Sequence, residues 1–219
     1  RSTLFPYTTL FRSLRTLRRR ARMTRRTQTL PEDYFLGIYA SDPDPWRFTT
    51  SSYERDKYAA TLAALPRARY RAGFEPACSI GVFTHALAER CDRLLSTDLV
   101  PAAVEAARAR CADRPHVEVR QGAMPADWPA ERFDLIVLSE FLYFLAPSDF
   151  AALVRRAGET IEPDGDIVLV HWLGETDYPL SGDGAAEAFI RLAAPFAQVR
   201  AQARTADYRI DVLSAGAAP

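Results

Sequence analysis

Hydrophobic positions follow two alternating patterns along the chain. Short, nearly all-apolar runs are separated by longer stretches in which apolar residues return every three or four positions. The runs place strands near 71–76, 93–98, 116–121, 133–139 and 164–172. Phe133-Asp134-Leu135-Ile136-Val137-Leu138 and Ile167-Val168-Leu169-Val170 have the composition of strands covered by helices on both faces. The intervening stretches predict helices near 81–91, 101–112, 148–160 and 183–194. Pro101 suits a first helical position, where its missing N–H would be unpaired anyway.

The two ends depart from this rhythm. Residues 30–50 mix Tyr34, Phe35 and Tyr39 with Asp42-Pro43-Asp44-Pro45-Trp46, and the prolines there break any continuous helix. A short helix followed by an ordered loop is expected. Ser51 or Ser52 can cap a helix running to about Leu65, with Tyr58, Leu62 and Leu65 at helical spacing and Pro66 closing it. At the other end, 196–203 and 207–214 read as two strands joined by a short turn, an antiparallel hairpin at one sheet edge. Alternating strands and helices imply an α/β fold with a doubly wound, mostly parallel sheet.

Residues 71–98 carry the most chemistry. They read as a strand, a tight turn, a helix and a second strand with an acid at its tip. The turn is Phe74-Glu75-Pro76-Ala77-Cys78-Ser79-Ile80-Gly81, and the acid is Asp98, 17 residues after Gly81. Such spacing suits a nucleoside, with turn backbone against the ligand and the carboxylate accepting from ribose hydroxyls. The plainer reading of Asp98 is an acid favoured by a helix N-terminus. A dinucleotide fingerprint would require glycine at 77, 79 and 82, where the chain has Ala77, Ser79 and Val82.

Composition narrows the classes. At 219 residues one domain with trimmings is expected, and no apolar run reaches the ~18 residues of a membrane helix. Cys78, Cys91 and Cys111 are an odd, scattered set, which points to a reducing compartment and a cytoplasmic protein. Neither they nor His85, His116 and His171 have metal-ligand spacing, so no metal is expected. Arginine dominates the bases, Lys57 is the only lysine, and with abundant alanine this suggests a GC-rich, bacterial genome.

The formal net charge of zero conceals an asymmetry. The first 22 residues hold seven of the 28 basic residues and no acid, leaving 21 basic and 28 acidic residues, a net of −7. Thr3-Leu4-Phe5-Pro6-Tyr7-Thr8-Thr9-Leu10-Phe11-Arg12-Ser13 corresponds codon for codon to a translated sequencing adapter, which marks 1–22 as an artefactual extension and Met23 as a plausible start. The acidic remainder is a poor partner for nucleic-acid phosphates.

With these blocks placed, the chain resembles class I S-adenosylmethionine-dependent methyltransferases, and among them the nodulation protein S (NodS) group, over roughly 31–213. Carrying the resemblance are Asp42-Pro43-Asp44-Pro45-Trp46, Tyr53-Glu54-Arg55, Lys57-Tyr58, the turn 74–81, Phe133-Asp134-Leu135-Ile136-Val137-Leu138-Ser139-Glu140 with Tyr143, and His171-Trp172. It implies a seven-stranded sheet ending in the hairpin. It also implies a helical cap over 23–66 and a cofactor-binding domain over 67–219. The implied cofactor is S-adenosylmethionine, with S-adenosylhomocysteine as product. The implied acceptor is the amine of a small molecule or oligosaccharide, as in the deacetylated amino sugar that NodS methylates.

The resemblance also implies site residues. The cofactor set is Trp46, Arg55, Glu75, Ala77, Cys78, Ser79, Gly81, Asp98, Leu99, Gly122, Ala123, Met124 and Glu140; the catalytic set is Glu140, His171 and Tyr143. An amine must present a free lone pair, and a carboxylate or imidazole can take its proton. Plainer roles remain open: local capping for Glu75, a surface ion pair for Arg55, a structural ligand for Glu140, a core histidine for His171, pocket wall for Tyr143. Trp46 with Tyr34 or Tyr53 is expected to cover the cofactor, or else to be simple helix packing. Three departures stand out: Ala77 where the turn expects glycine, Ala123 where an acid would meet the adenine, and Ala186 where histidine is expected. They keep open a binding protein of the same fold without turnover; an NAD-dependent enzyme is the further alternative.

Overall fold

The computed structural model describes residues 24–216. Its single sheet comprises β1 (Tyr70–Pro76), β2 (Cys91–Asp98), β3 (Val117–Gln121), β4 (Phe133–Ser139), β5 (Ile161–Trp172), β6 (Ala197–Arg204) and β7 (Tyr208–Ala215), in the order β3-β2-β1-β4-β5-β7-β6. The pairs among β1–β5 are parallel, while β7 runs antiparallel to both β5 and β6. The sheet is therefore the expected doubly wound one, closed at one edge by the C-terminal hairpin. β5 begins three residues earlier than the expected strand over 164–172 and pairs Phe133 with Ile161 before a register shift.

Among the described residues, six α-helices accompany the sheet: α1 (Glu32–Ser41), α2 (Ser52–Ala64), α3 (Val82–Leu87), α4 (Pro101–Arg110), α5 (Pro147–Thr160) and α6 (Gly182–Ala193). Ser51 caps α2 by accepting the Glu54 N–H at 3.3 Å, which satisfies one otherwise unpaired donor of the first turn. Asp44 orders the loop after α1 by accepting the N–H groups of Phe48 and Thr49. The expected helix over 81–91 is shorter: α3 gives way to a 3-10 turn at Ala88–Arg90, and β2 starts at Cys91.

The central strands are covered on both faces. Ile136 and Leu138 of β4 pack in one apolar cluster with Phe74 and Leu169, whereas Leu135 and Val137 join Leu94, Val168 and Val170 in another. This two-residue alternation explains why the strand sequences are almost continuously apolar. Asp134 is the exception, and its work is structural. Its two oxygens accept the backbone N–H groups of Arg71 and Ala72 at 2.9 and 2.8 Å, on β1 ahead of the Gly73–Leu135 pairing.

β1 lies between β2 and β4, so the chain leaves it first toward one sheet edge and later toward the other. A crevice opens at such a switch point, beyond the carboxyl ends of the strands. The turn leaving β1 there is conformationally unusual: Ala77, Ser79 and Gly81 take φ of 58°, 52° and 75°. Among the described residues no helix is long and apolar enough to cross a membrane. The adapter-like segment, the basic arm and Met23 lie outside the described residues.

Two substitutions in this turn should have opposite effects in thermal or denaturant unfolding. A Cβ at Gly81 would lie 2.8 Å from both Cα and Cβ of Ala107, so Gly81→Ala should destabilise by about 2–4 kcal/mol through left-handed strain and overpacking. Ala77→Gly should stabilise by about 0.5–1 kcal/mol, the relief of left-handed strain less the added freedom of the unfolded chain.

Candidate functional site

A cavity of about 800 Å³ occupies the crevice. Every parallel strand contributes to it through its carboxyl end: Ala77 and Ser79 after β1, Asp98 and Leu99 at β2, Gly122, Ala123 and Met124 after β3, Ser139 and Glu140 at β4, and Trp172 at β5. Tyr39, Trp46 and Phe48 cover one side, and Tyr53, Glu54 and Lys57 of α2 supply another wall. The lining is mainly apolar, and two of its charged groups, Asp98 and Glu140, sit at the carboxyl ends of the strands.

The first is Asp98, only 8% exposed. One carboxylate oxygen accepts the Ser79 N–H at 2.7 Å, and the other accepts the Val100 N–H at 2.9 Å. Burial pushes the carboxyl up to about 6, against the lowering effect of these backbone donors. Each oxygen has a second lone pair available to a ligand hydroxyl. Above this group Tyr39 bonds its hydroxyl to that of Ser79, and its ring meets Trp46 edge-on at 5.6 Å. Tyr39, rather than Tyr34 or Tyr53, is thus the ring partner of Trp46. Tyr53 instead packs on Tyr208, while Tyr34 lines the cavity beside Phe35.

The second centre is Glu140, whose φ is 61°. Oε1 accepts from Lys57 Nζ at 2.6 Å; Oε2 accepts from the Tyr143 hydroxyl and the Trp172 N–H, both at 2.8 Å. Burial favours the protonated acid, but the Lys57 charge and these hydrogen bonds outweigh it and hold Glu140 below the ordinary carboxylate range. Lys57 also contacts Glu54 at 3.0 Å and is 2% exposed. Burial raises Glu54 above its ordinary value despite that contact. The hydroxyl of Tyr143 is raised well above its usual value, first by burial and then by the adjacent Glu140 charge.

Of the expected site residues, the structure brings Trp46, Ala77, Ser79, Asp98, Leu99, Gly122, Ala123, Met124, Glu140 and Tyr143 to the cavity. Five lie elsewhere, each for a local reason. Arg55 is exposed, because Glu54, Lys57 and Thr61 occupy the buried face of α2. Glu75 is buried behind the turn, accepts from Ser96 at 2.9 Å, and is pushed up to about 7 by burial. Cys78 packs with Val104, Ala107 and Val119, and Gly81 abuts Ala107. His171 is fully buried outside the lining, 5.6 Å from the Tyr143 ring, with no hydrogen-bond partner at either nitrogen. Burial lowers it to about 4, so it is neutral at pH 7. Ala186 is likewise buried away from the cavity.

Lys57 and Glu54 are the residues that sequence reasoning did not assign. Their signals were present: the sole lysine of an arginine-rich chain, one helical turn after an acid. The 83-residue separation of Lys57 from Glu140 hides the third member.

Nodulation protein S from Bradyrhizobium diazoefficiens is 34% identical over 128 residues, which are 58% of this chain and 61% of that protein. Nodulation protein S from Rhizobium tropici is 33% identical over 130 residues, 58% of this chain and 54% of the relative. The chain thus spans little more than half to three fifths of these relatives. A crystal structure of a candidate methyltransferase from Pseudomonas syringae is 42% identical, with a TM-score of 0.64 over 75% of this chain and 99% of that one. N-methyltransferase NodS from Bradyrhizobium japonicum WM9, in complex with S-adenosylhomocysteine, is 21% identical with a TM-score of 0.69 over 84% and 98%, a likeness of fold. The nodulation protein S (NodS) family model matches residues 37–177, well over half of the chain, and the chain belongs to that family.

Proposed function

We propose that the chain is an S-adenosylmethionine-dependent methyltransferase that methylates an amine of a small molecule or oligosaccharide, an amino sugar being the leading candidate. The observation that carries this reading is the shared cavity: Asp98 stands on one part of its wall and the Glu140–Tyr143 pair on another. Support for the amine comes from the Bradyrhizobium japonicum relative, described as an N-methyltransferase. In this reading α1 and α2 cap a cofactor-binding domain that begins near residue 67. Three free, buried cysteines fit a reducing cytoplasm.

The residues present fit the cofactor. Asp98 retains acceptor capacity for ribose hydroxyls, and the left-handed backbone at Ala77 and Ser79 offers a close approach. Leu99, Ala123 and Met124 supply apolar wall for the base. Tyr39, Trp46 and Phe48 exclude water from this end. When bound, the cofactor supplies a methyl group already activated by its sulfonium, so the protein's share is alignment and desolvation.

At the other charged centre, Glu140 and Tyr143 would orient the acceptor nitrogen. A carboxylate held below its ordinary range is a weak base but a strong hydrogen-bond acceptor for an amine N–H. His171 takes no part in this proposal, being buried off the cavity. The reaction requires the nitrogen to reach the cavity with its lone pair free.

The direct test is incubation with S-adenosylmethionine and glucosamine or a deacetylated chitooligosaccharide, following S-adenosylhomocysteine and the methylated amine. Calorimetric binding of S-adenosylhomocysteine with no transfer to any amine in a broad panel would instead favour a binding protein of the same fold. Neither binding nor transfer would defeat both.

Asp98 gives a sharper expectation. Asp98→Asn should weaken S-adenosylhomocysteine about ten- to hundredfold at pH 8, corresponding to hydrogen bonds to a charged group worth roughly 1.5–3 kcal/mol. In the unsubstituted protein the ligand-binding carboxylate is lost as pH falls through about 6. Affinity should therefore decline by up to about tenfold per pH unit below 6, and that component should vanish in Asp98→Asn. An identical pH dependence in both proteins would remove Asp98 from the binding site.

A further inference from the structure

The α2 wall contains a charged cluster with more internal pairing than ligand binding requires. Lys57 Nζ lies 2.6 Å from Glu140 Oε1 and 3.0 Å from Glu54 Oε2, and 5.0 Å from the centre of the Tyr53 ring. The side chains of Lys57 and Glu54 are 2% and 4% exposed, while that of Glu140 retains 20%. All three line the cavity, and Glu140 is the most exposed of them. A backbone N–H from Trp172 and the Tyr143 hydroxyl fix its second oxygen.

Residue choice strengthens the argument. Apart from three histidines, every other basic residue of the chain is arginine, yet its single lysine stands here. A compact ammonium on a flexible stem, with three rotatable donors, sits here between two carboxylates. Burying it is costly unless partners compensate, and here it has two.

We propose that Lys57 is a positioning residue: it bridges Glu54 and Glu140 so that the Glu140 carboxylate stays charged and directed at the acceptor end of the cavity. The importance of this for turnover rests on the methyl-transfer reading above. The titratable groups facing Glu140 are Lys57, Glu54, Tyr53 and Tyr58 from α2, Tyr143 after β4, and His171 from β5. Burial keeps the tyrosine hydroxyls protonated and His171 neutral at pH 7. The Glu140 charge near neutrality is therefore governed by the opposition of Lys57 to burial and to the Glu54 charge. Without the ammonium, burial and like-charge repulsion both favour a proton on the pair. Without the Glu54 charge, Lys57 acts on Glu140 alone.

The test uses the full chain labelled with glutamate carrying ¹³C at the carboxyl carbon. The Glu140 resonance, identified by its loss in Glu140→Gln, is followed against pH. Lys57→Met should raise its midpoint by at least about one pH unit, and Glu54→Gln should lower it. An unmoved midpoint in Lys57→Met overturns the proposal. Should Lys57→Met not fold, Glu54→Gln decides the matter, and a midpoint that fails to fall overturns it. No acceptor is needed, so failure here is separable from failure of the transfer assay. If the unsubstituted protein methylates glucosamine, the acidic limb of kcat/KM should move in the same two directions.

Discussion

The site depends first on one carboxylate. Asp98, at the end of β2, holds the turn after β1 through the Ser79 N–H and the start of α4 through the Val100 N–H. A turn with left-handed residues at 77, 79 and 81 is not the relaxed state of an ordinary peptide. Its shape requires outside support, and Asp98 supplies it from the neighbouring strand. The same burial that makes these hydrogen bonds effective disfavours the charge and raises the carboxyl to about 6. Structural support and the proposed ligand recognition thus draw on the lone pairs of one group.

Glu140 applies a similar solution to a harder problem. It ends the strand next to β1 on the opposite side from β2, and its neighbours include Lys57 and Glu54, both nearly inaccessible to solvent. The contacts tie α2 to β4 and, through the Trp172 N–H, to β5. Removing one partner from such a cluster would leave an uncompensated buried charge, a change usually costing several kcal/mol. The cap is consequently joined to the sheet at the proposed acceptor end, while the Tyr39–Trp46–Phe48 group covers the Asp98 end.

The three alanine departures have unequal consequences. Ala77 lies on the cavity in a left-handed conformation, so its methyl bears directly on both strain and ligand approach. Ala123 also faces the cavity, but its N–H is taken by Asp127 at 2.8 Å, within the turn after β3. Ala186 is a core residue of α6, packed among Phe189 and its apolar neighbours. Only the first two can alter a ligand's surroundings by contact.

Much of this architecture was legible from local order in the chain. The apolar runs located β1 to β5, the 196–214 pattern marked the hairpin of β6 and β7, and the turn-to-acid spacing put Ala77, Ser79 and Asp98 in one neighbourhood. These inferences succeed because strand period, helix capping and turn geometry are set over a few residues. The pairing of Lys57 with Glu140 and of Tyr39 with Trp46 needed the folded chain, as did the burial of His171 and the outward direction of Arg55. Such features depend on which elements pack together and which face each presents. Periodicity establishes that a side chain belongs to a helix or strand; the packed sheet and cap decide whether it meets a ligand, another charge or the core.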